Sequence, residues 1–260
     1  MNNIIKVIGI MLLSISVAGC ANIFKSMEQL DSADKLEKAE LAKQNGDSAA
    51  VESFARDVLQ QKGADYSVPT KGATLEEKQA RTDLAMVELS KIGSSPVDVL
   101  KNVIQMSGSS NNLSDDFYTR ISDTLPPTRD LGIVLIAAGN LRKNADISNP
   151  NEALNAAAAE TTAVTMIVTS AFDANGDGRL TDDENIATSD MLARWDSVST
   201  NLLEHSQGAI DMFGYTNEGG NNQGIKDASN QLNQLQELNA SRGLKTGDEF
   251  VASLNAIFGF

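Results

Sequence analysis

The chain has 260 residues and carries 21 Lys and Arg against 35 Asp and Glu, a formal net charge of −14. So acidic a chain makes a poor partner for nucleic acid, whose phosphates demand clustered cations, and anionic lipid surfaces repel it. Its length allows one large domain or two ordinary ones, and its single cysteine excludes a disulfide framework.

The first segment is read as a signal. MNNIIK carries one cation, Lys6, VIGIMLLSISV is an apolar run, and Val17-Ala18-Gly19-Cys20 ends it with small residues. A basic start, a short apolar stretch and a small-residue cleavage site make a secretory signal over 1–19. The apolar run is too short for a spanning helix, which needs about 20 residues. Val17-Ala18-Gly19-Cys20 resembles the lipobox of bacterial lipoproteins. That resemblance implies that Cys20 becomes the lipidated first residue of the mature chain, bearing acyl groups such as palmitate, and anchors it to a membrane. Ala21 rather than Asp after the cysteine goes with outer-membrane sorting in lipoproteins of this kind. Removing 1–19 removes one Lys and no acid, which takes the net charge from −14 to −15.

The remainder reads as all-α, a multi-helix bundle or helical-hairpin array of about ten helices. They are placed near 26–44, 47–61, 74–92, 96–107, 114–123, 128–143, 150–172, 181–213, 224–241 and 247–258. Thr74-Leu75-Glu76-Glu77 and Thr246-Gly247-Asp248-Glu249 fit the capping box, in which hydroxyl and glutamate satisfy each other's free N–H groups. Ser95-Pro96 and Asn149-Pro150 set a capping side chain before a proline at the first helical position. Pro126-Pro127 cannot lie inside a helix. LGIVLIAAG (131–139) and AVTMIVTSAF (163–172) are β-branched enough for buried strands, but their polar and alanine-rich continuations favour helix. Residues 36–60 look like the helical hairpin of a tetratricopeptide unit, although any αα-hairpin wants the same pattern and no second copy follows. NEGGNNQG (217–224) reads as a surface loop, and Ile225, Ala228, Leu232, Leu235 and Leu238 after it form one apolar stripe for core contact. The domain reading is an N-terminal helical region over 20–149, a helix-loop-helix over 150–215, a flexible loop over 216–224, and helices over 225–260 packing on the rest.

Residues 173–184, DANGDGRLTDDE, carry the chemistry. Asp173, Asn175 and Asp177 stand at positions 1, 3 and 5, Gly178 at 6, Arg179 at 7, Thr181 at 9 and Glu184 at 12. This stretch resembles the calcium loop of the EF-hand family at every diagnostic position. Calcium takes six to eight hard oxygen ligands at about 2.3–2.6 Å, so short carboxylates and amides at alternate positions can wrap it. The resemblance implies side-chain ligands from Asp173, Asn175 and Asp177 and the backbone carbonyl of Arg179. It further implies the hydroxyl or a held water of Thr181, and both oxygens of Glu184 from the first turn of the outgoing helix. A glycine at position 6 supplies positive φ without strain. Phe172 before the loop also fits; Thr165 and Thr169 occupy positions where the family has apolar residues. EF-hands normally pair and no second such loop occurs, so the site is expected to be structural or to dimerise.

Other chemistry is thinly represented. His205 is the lone histidine and reads as a solvent-facing helical residue, without partners for a zinc site. There is no G-x-S-x-G elbow and no phosphate-binding lysine loop; Asp115-Asp116 and Asp182-Asp183 suit helix N-termini better than acid–base work. The expectation is a non-enzymatic, calcium-binding, lipid-anchored protein of the bacterial cell envelope, serving as scaffold or binding module for an envelope protein or surface polymer. The competing expectations are a hydrolase of cell-wall glycans and a calcium-responsive regulator.

Overall fold

The computed structural model describes residues 48–94, 96, 99, 125–176, 187–216 and 223–258, and no strand occurs among them. The helices they form are α1 (Ser48–Gln61), α2 (Leu75–Lys91), α3 (Leu131–Asn144), α4 (Pro150–Phe172), α5 (Thr188–Thr216), α6 (Gln223–Ser241) and α7 (Gly247–Phe258). The helical class is as read. Helices expected near 26–44 and 114–123, most of 96–107, and the first arm of the tetratricopeptide-like hairpin lie outside the described residues. Both β-branched stretches are helical, within α3 and α4.

Helix starts follow the capping chemistry. Thr74 accepts from the Glu77 N–H while Glu77 accepts from the Ala73 N–H. Thr246 and Glu249 bond reciprocally, and the Asn149 side chain accepts from the Asn151 N–H ahead of α4. A 3-10 turn, Thr128–Asp130, leads into α3 after the two prolines. One expected boundary is corrected. The helix placed over 181–213 is not one run: Ala187 is non-helical and α5 begins at Thr188. Thr188, Ser189 and Asp190 are helix-start residues, with Asp190 in a first turn where the helix dipole favours an acid.

Helix α4 is the centre of the architecture. From Ala156 to Thr169 every residue is buried, and a helix without an exposed face must have neighbours all round. Its sequence permits this because Ala153, Ala156–Ala159 and Ala163 let other helices approach closely. Its threonines satisfy themselves: Thr161, Thr162, Thr165 and Thr169 donate to the carbonyls of Ala157, Ala158, Thr161 and Thr165 at 2.8–3.0 Å. A hydroxyl bonded four residues back presents only its methyl group to the core.

The neighbours arrange as antiparallel pairs. Arg56 bonds Glu88 while Glu52 pairs with Lys91, which sets α1 against α2. Arg81 on α2 meets Asn140 on α3, and α3 and α4 are joined by a short turn. Pairings of residue 160 with 205 and of 171 with 194 run α5 back along α4, the most extensive helix contact among the described elements. One core joins Val164, Ile167 and Phe172 of α4 to Met191, Trp195 and Leu202 of α5, Leu232 and Leu235 of α6, and Phe250 of α7. A second gathers Ala85 and Leu89 of α2 and Val134 and Ala138 of α3 on the other face of α4. The stripe expected on α6 is indeed core contact, with Ala228, Leu232, Leu235 and Leu238 buried. No helix among the described residues is long and apolar enough to cross a membrane.

Gly139 shows how tightly α3 is seated. A Cβ there would stand 2.8 Å from two ring carbons of Pro69, whereas a Cβ at Gly132 meets nothing within 4 Å. Gly139→Ala should therefore destabilise the protein by about 1–3 kcal/mol. Gly132→Ala should be neutral or stabilising by up to about 1 kcal/mol. Thermal melts of the two variants beside wild type check this, and equal effects would mean that the Pro69 contact yields without cost.

Candidate functional site

The described part of the candidate calcium loop is its entry. Helix α4 ends on buried Phe172, and Asp173 leaves it with its N–H still bonded to Thr169 O at 2.9 Å. The Asp173 carboxylate turns inward over the chain, Oδ1 accepting from the Gly176 N–H at 2.7 Å. Gly176 has φ +76°, the left-handed region that favours glycine. Sequence reasoning assigned that need to Gly178 at position 6 and missed Gly176 at position 4, although the Asn175-Gly176 pair signals such a turn. Asp177, Gly178, Arg179, Thr181, Glu184 and Cys20 lie outside the described residues. Carboxylate and amide oxygens on a tight turn suit a hard divalent cation, so the donor chemistry of Asp173 and Asn175 fits calcium. Among the described residues no group of three or more His, Cys, Asp and Glu side chains could hold a metal ion.

The two helices flanking the loop are tied beside it. Arg194 of α5 donates from Nη1 to Ala171 O at 2.7 Å, placing a cation on the carbonyl end of α4, where the helix dipole favours it. One residue on, Trp195 is fully buried, donates Nε1–H to Asn239 Oδ1 at 2.8 Å, and stacks at a tilt on Phe250 with ring centroids 5.3 Å apart. Thr165 and Thr169, the departures from the expected apolar positions, are buried with their hydroxyls returned to their own helix.

His205 corrects the sequence reading. It is not solvent-facing but 5% exposed, with Nδ1 2.5 Å from Oε2 of Glu160, a carboxylate buried at the middle of α4. Arg142 of α3 approaches from the other side, its Nε 2.9 Å from Glu160 Oε1, and bonds half-exposed Glu204 through Nη2 at 2.6 Å. The Arg142–Glu160 approach is an ion pair by distance, but neither atom reaches hydrogen-bond alignment. We read it as electrostatic contact, because attraction between charges falls slowly with angle whereas a hydrogen bond is directional. Sequence reasoning missed the cluster since its members are 18 and 45 residues from Glu160 and share no local pattern; the one signal was a glutamate inside an alanine-rich helix.

A second buried polar group lies between α2 and α3. Arg81, 2% exposed, pairs with Glu77 Oε1 at 3.1 Å and donates to Asn140 Oδ1 and to the carbonyls of Asp65 and Val68. Asn140 donates to Tyr66 O, while Asn144 donates to Thr70 O and accepts from the Gly72 N–H. These bonds hold the non-helical segment 64–74 against α3 through its own backbone. They are structural satisfaction of buried groups. No family model matches the chain, and no curated protein and no solved structure matches it, so the residues themselves carry the functional reading.

Glu77 makes this network sensitive to acid. The Ala73 N–H, and after it Arg81, hold its carboxyl below the usual carboxylate range. A carboxyl depressed in the folded state adds stability above its unfolded value, about 4.3, that is lost as pH falls through the folded value. Glu77→Gln should destabilise the protein at pH 7 by roughly 1–2 kcal/mol, read as a lower melting temperature, and melts repeated down to pH 2 should show variant and wild type converging. Parallel curves would mean that ionisation of Glu77 contributes nothing.

Proposed function

We propose that the protein binds calcium through residues 173–184, is anchored to the bacterial cell envelope by lipidated Cys20, and serves there as a scaffold or binding module. The partner is another envelope protein or a surface polymer, and the ion is mainly structural. The observation that carries the calcium reading is the oxygen-donor spacing of Asp173, Asn175, Asp177, Thr181 and Glu184, with the Arg179 carbonyl between. The turn of Asp173 over Gly176 at the end of a buried helix supports it. The outer-membrane placement rests on Val17-Ala18-Gly19-Cys20 and Ala21.

Two features favour a structural ion over a sensor. A sensor loop opens a groove by swinging one flanking helix away from the other. Here α4 and α5 share the most extensive contact among the described helices and are held both beside the loop, through Arg194, and at their middles, through Glu160 and His205.

Calcium at 100 times its dissociation constant should stabilise the fold by about 2.7 kcal/mol. Melts in chelator and in millimolar calcium should therefore differ, and Glu184→Gln should erase the difference; a wild-type melt indifferent to saturating calcium would sink the structural ion. Cys20→Ser should move the protein from the membrane to the soluble fraction of a bacterial lysate, whereas a variant still sedimenting with membranes would point to a different anchor.

A further inference from the structure

The face that α4 turns to α3 is low in relief, whereas Val164, Ile167 and Phe172 key it to Met191, Trp195 and Leu202 of α5. Ala137 and Ala138 of α3 face the alanines of α4, and small side chains make shallow ridges and grooves that define axial position weakly. A slide of α3 by one turn, about 5.4 Å, would still set small apolar residues against one another. The charged cluster does not permit that slide. Glu160, whose side chain has no exposed surface, meets Arg142 from α3 and His205 from α5. One turn from His205 stand Asn201 and Leu202 on one side and Gly208 and Ala209 on the other. One turn from Arg142 stand Ala138 and Gly139, or Ala145 and Asp146 beyond the helix end. A shift of one turn leaves the buried carboxylate facing neither Arg142 nor His205.

The space is fitted to this arrangement. A Cβ on Gly208 would lie 2.7 Å from Arg142 Cδ and 2.9 Å from Glu160 Cδ, so a glycine one turn beyond His205 leaves room for both side chains. The Arg142–Glu160 approach is not aligned for hydrogen bonding, and Arg142 is shared with Glu204. A pair built for stability would be better aligned, since a buried ion pair exceeds its desolvation cost only with excellent geometry.

We propose that Glu160, Arg142 and His205 are positioning residues that fix the axial register of α3 on α4 and, together with the large side chains of the α4–α5 core, that of α5, and with it the places of Asp173 and Thr188 at the ends of the two helices. The part concerning the loop rests on the calcium reading; the register does not. Glu160 lies thirteen residues before Asp173, about 20 Å along the helix, and His205 lies seventeen after Thr188. An error of one turn at the cluster is carried undiminished by two rigid helices to the loop.

The test uses the full chain carrying Arg142→Met, Glu160→Leu and His205→Leu together. Trp195 is the only tryptophan, and its indole N–H sits on α5 between cluster and loop, so its NMR resonance reports register. The triple variant should keep the wild-type helical circular dichroism, yet its indole resonance should split or broaden, and amide exchange along α4 should accelerate at least tenfold. A single sharp resonance with wild-type protection overturns the proposal. Should the triple variant not fold, Glu160→Gln, which keeps the shape and removes the buried charge, decides by the same resonance and exchange. Titration with calcium ion gives a separate reading: a folded variant should bind at least tenfold more weakly than wild type, and an unchanged affinity overturns the link to the loop. A wild-type chain that binds no calcium sinks the calcium reading, while the indole resonance still decides the register.

Discussion

The fold is organised by a helix that has no outside. Once α4 is covered on every face, each of its residues must meet a condition that a surface helix escapes. Side chains that meet neighbouring backbones have to be small, which the alanines satisfy. Hydroxyls have to find acceptors without water, which the threonines do within their own helix. A buried carboxylate has to find its partners elsewhere, and Glu160 draws one from each flanking helix, Arg142 and His205. The rest of the molecule follows: α3 and α5 are placed by what α4 needs, α2 is placed by α3, and α6 and α7 close over the aromatic end of α5.

This arrangement gives the candidate calcium loop an unusual setting. The loop leaves the most buried helix among the described residues, so Asp173, at its first position, is attached to a helix that cannot tilt freely. Arg194 and Trp195 secure the returning helix within two turns of its start. In the reading proposed above, an ion bound between two such ends completes a junction rather than driving a motion. Acidity fits the same picture, because the chain's excess of carboxylates raises the local concentration of cations around a site whose flanking helices are already aligned.

Local chemistry was legible in the residues. Capping boxes at Thr74 and Thr246, the Asn149-Pro150 start and the apolar stripe of α6 all act as their spacing implies, because each depends on atoms three or four residues apart. The helical state of AVTMIVTSAF was legible from its alanine-rich lead, against the β preference of its own residues. What escaped was non-local or finely conformational. His205 looks like any helical histidine until α4 is laid beside it, and nothing near it in sequence announces Glu160. The late start of α5 at Thr188 depends on how the chain returns from the loop. The left-handed turn at Gly176 also escaped, because the EF-hand pattern draws the eye to position 6, which lies outside the described residues, and away from Asn175-Gly176. Beyond Gly176 the candidate loop, like Cys20, lies outside the described residues, so the site is legible mainly in its spacing.

The segment 64–74 carries one more implication. It has almost no regular structure, yet its peptide groups are claimed by Arg81, Asn140 and Asn144, residues up to 74 positions away. It has no native conformation until α3 has docked, so it cannot serve as an early folding nucleus. Conversely, α3 cannot leave without freeing it. The amino-terminal hairpin of α1 and α2 is thereby joined to the central helices as one cooperative unit, and a protease that cuts within 64–74 would be timing the departure of α3 rather than sampling a loose surface strand.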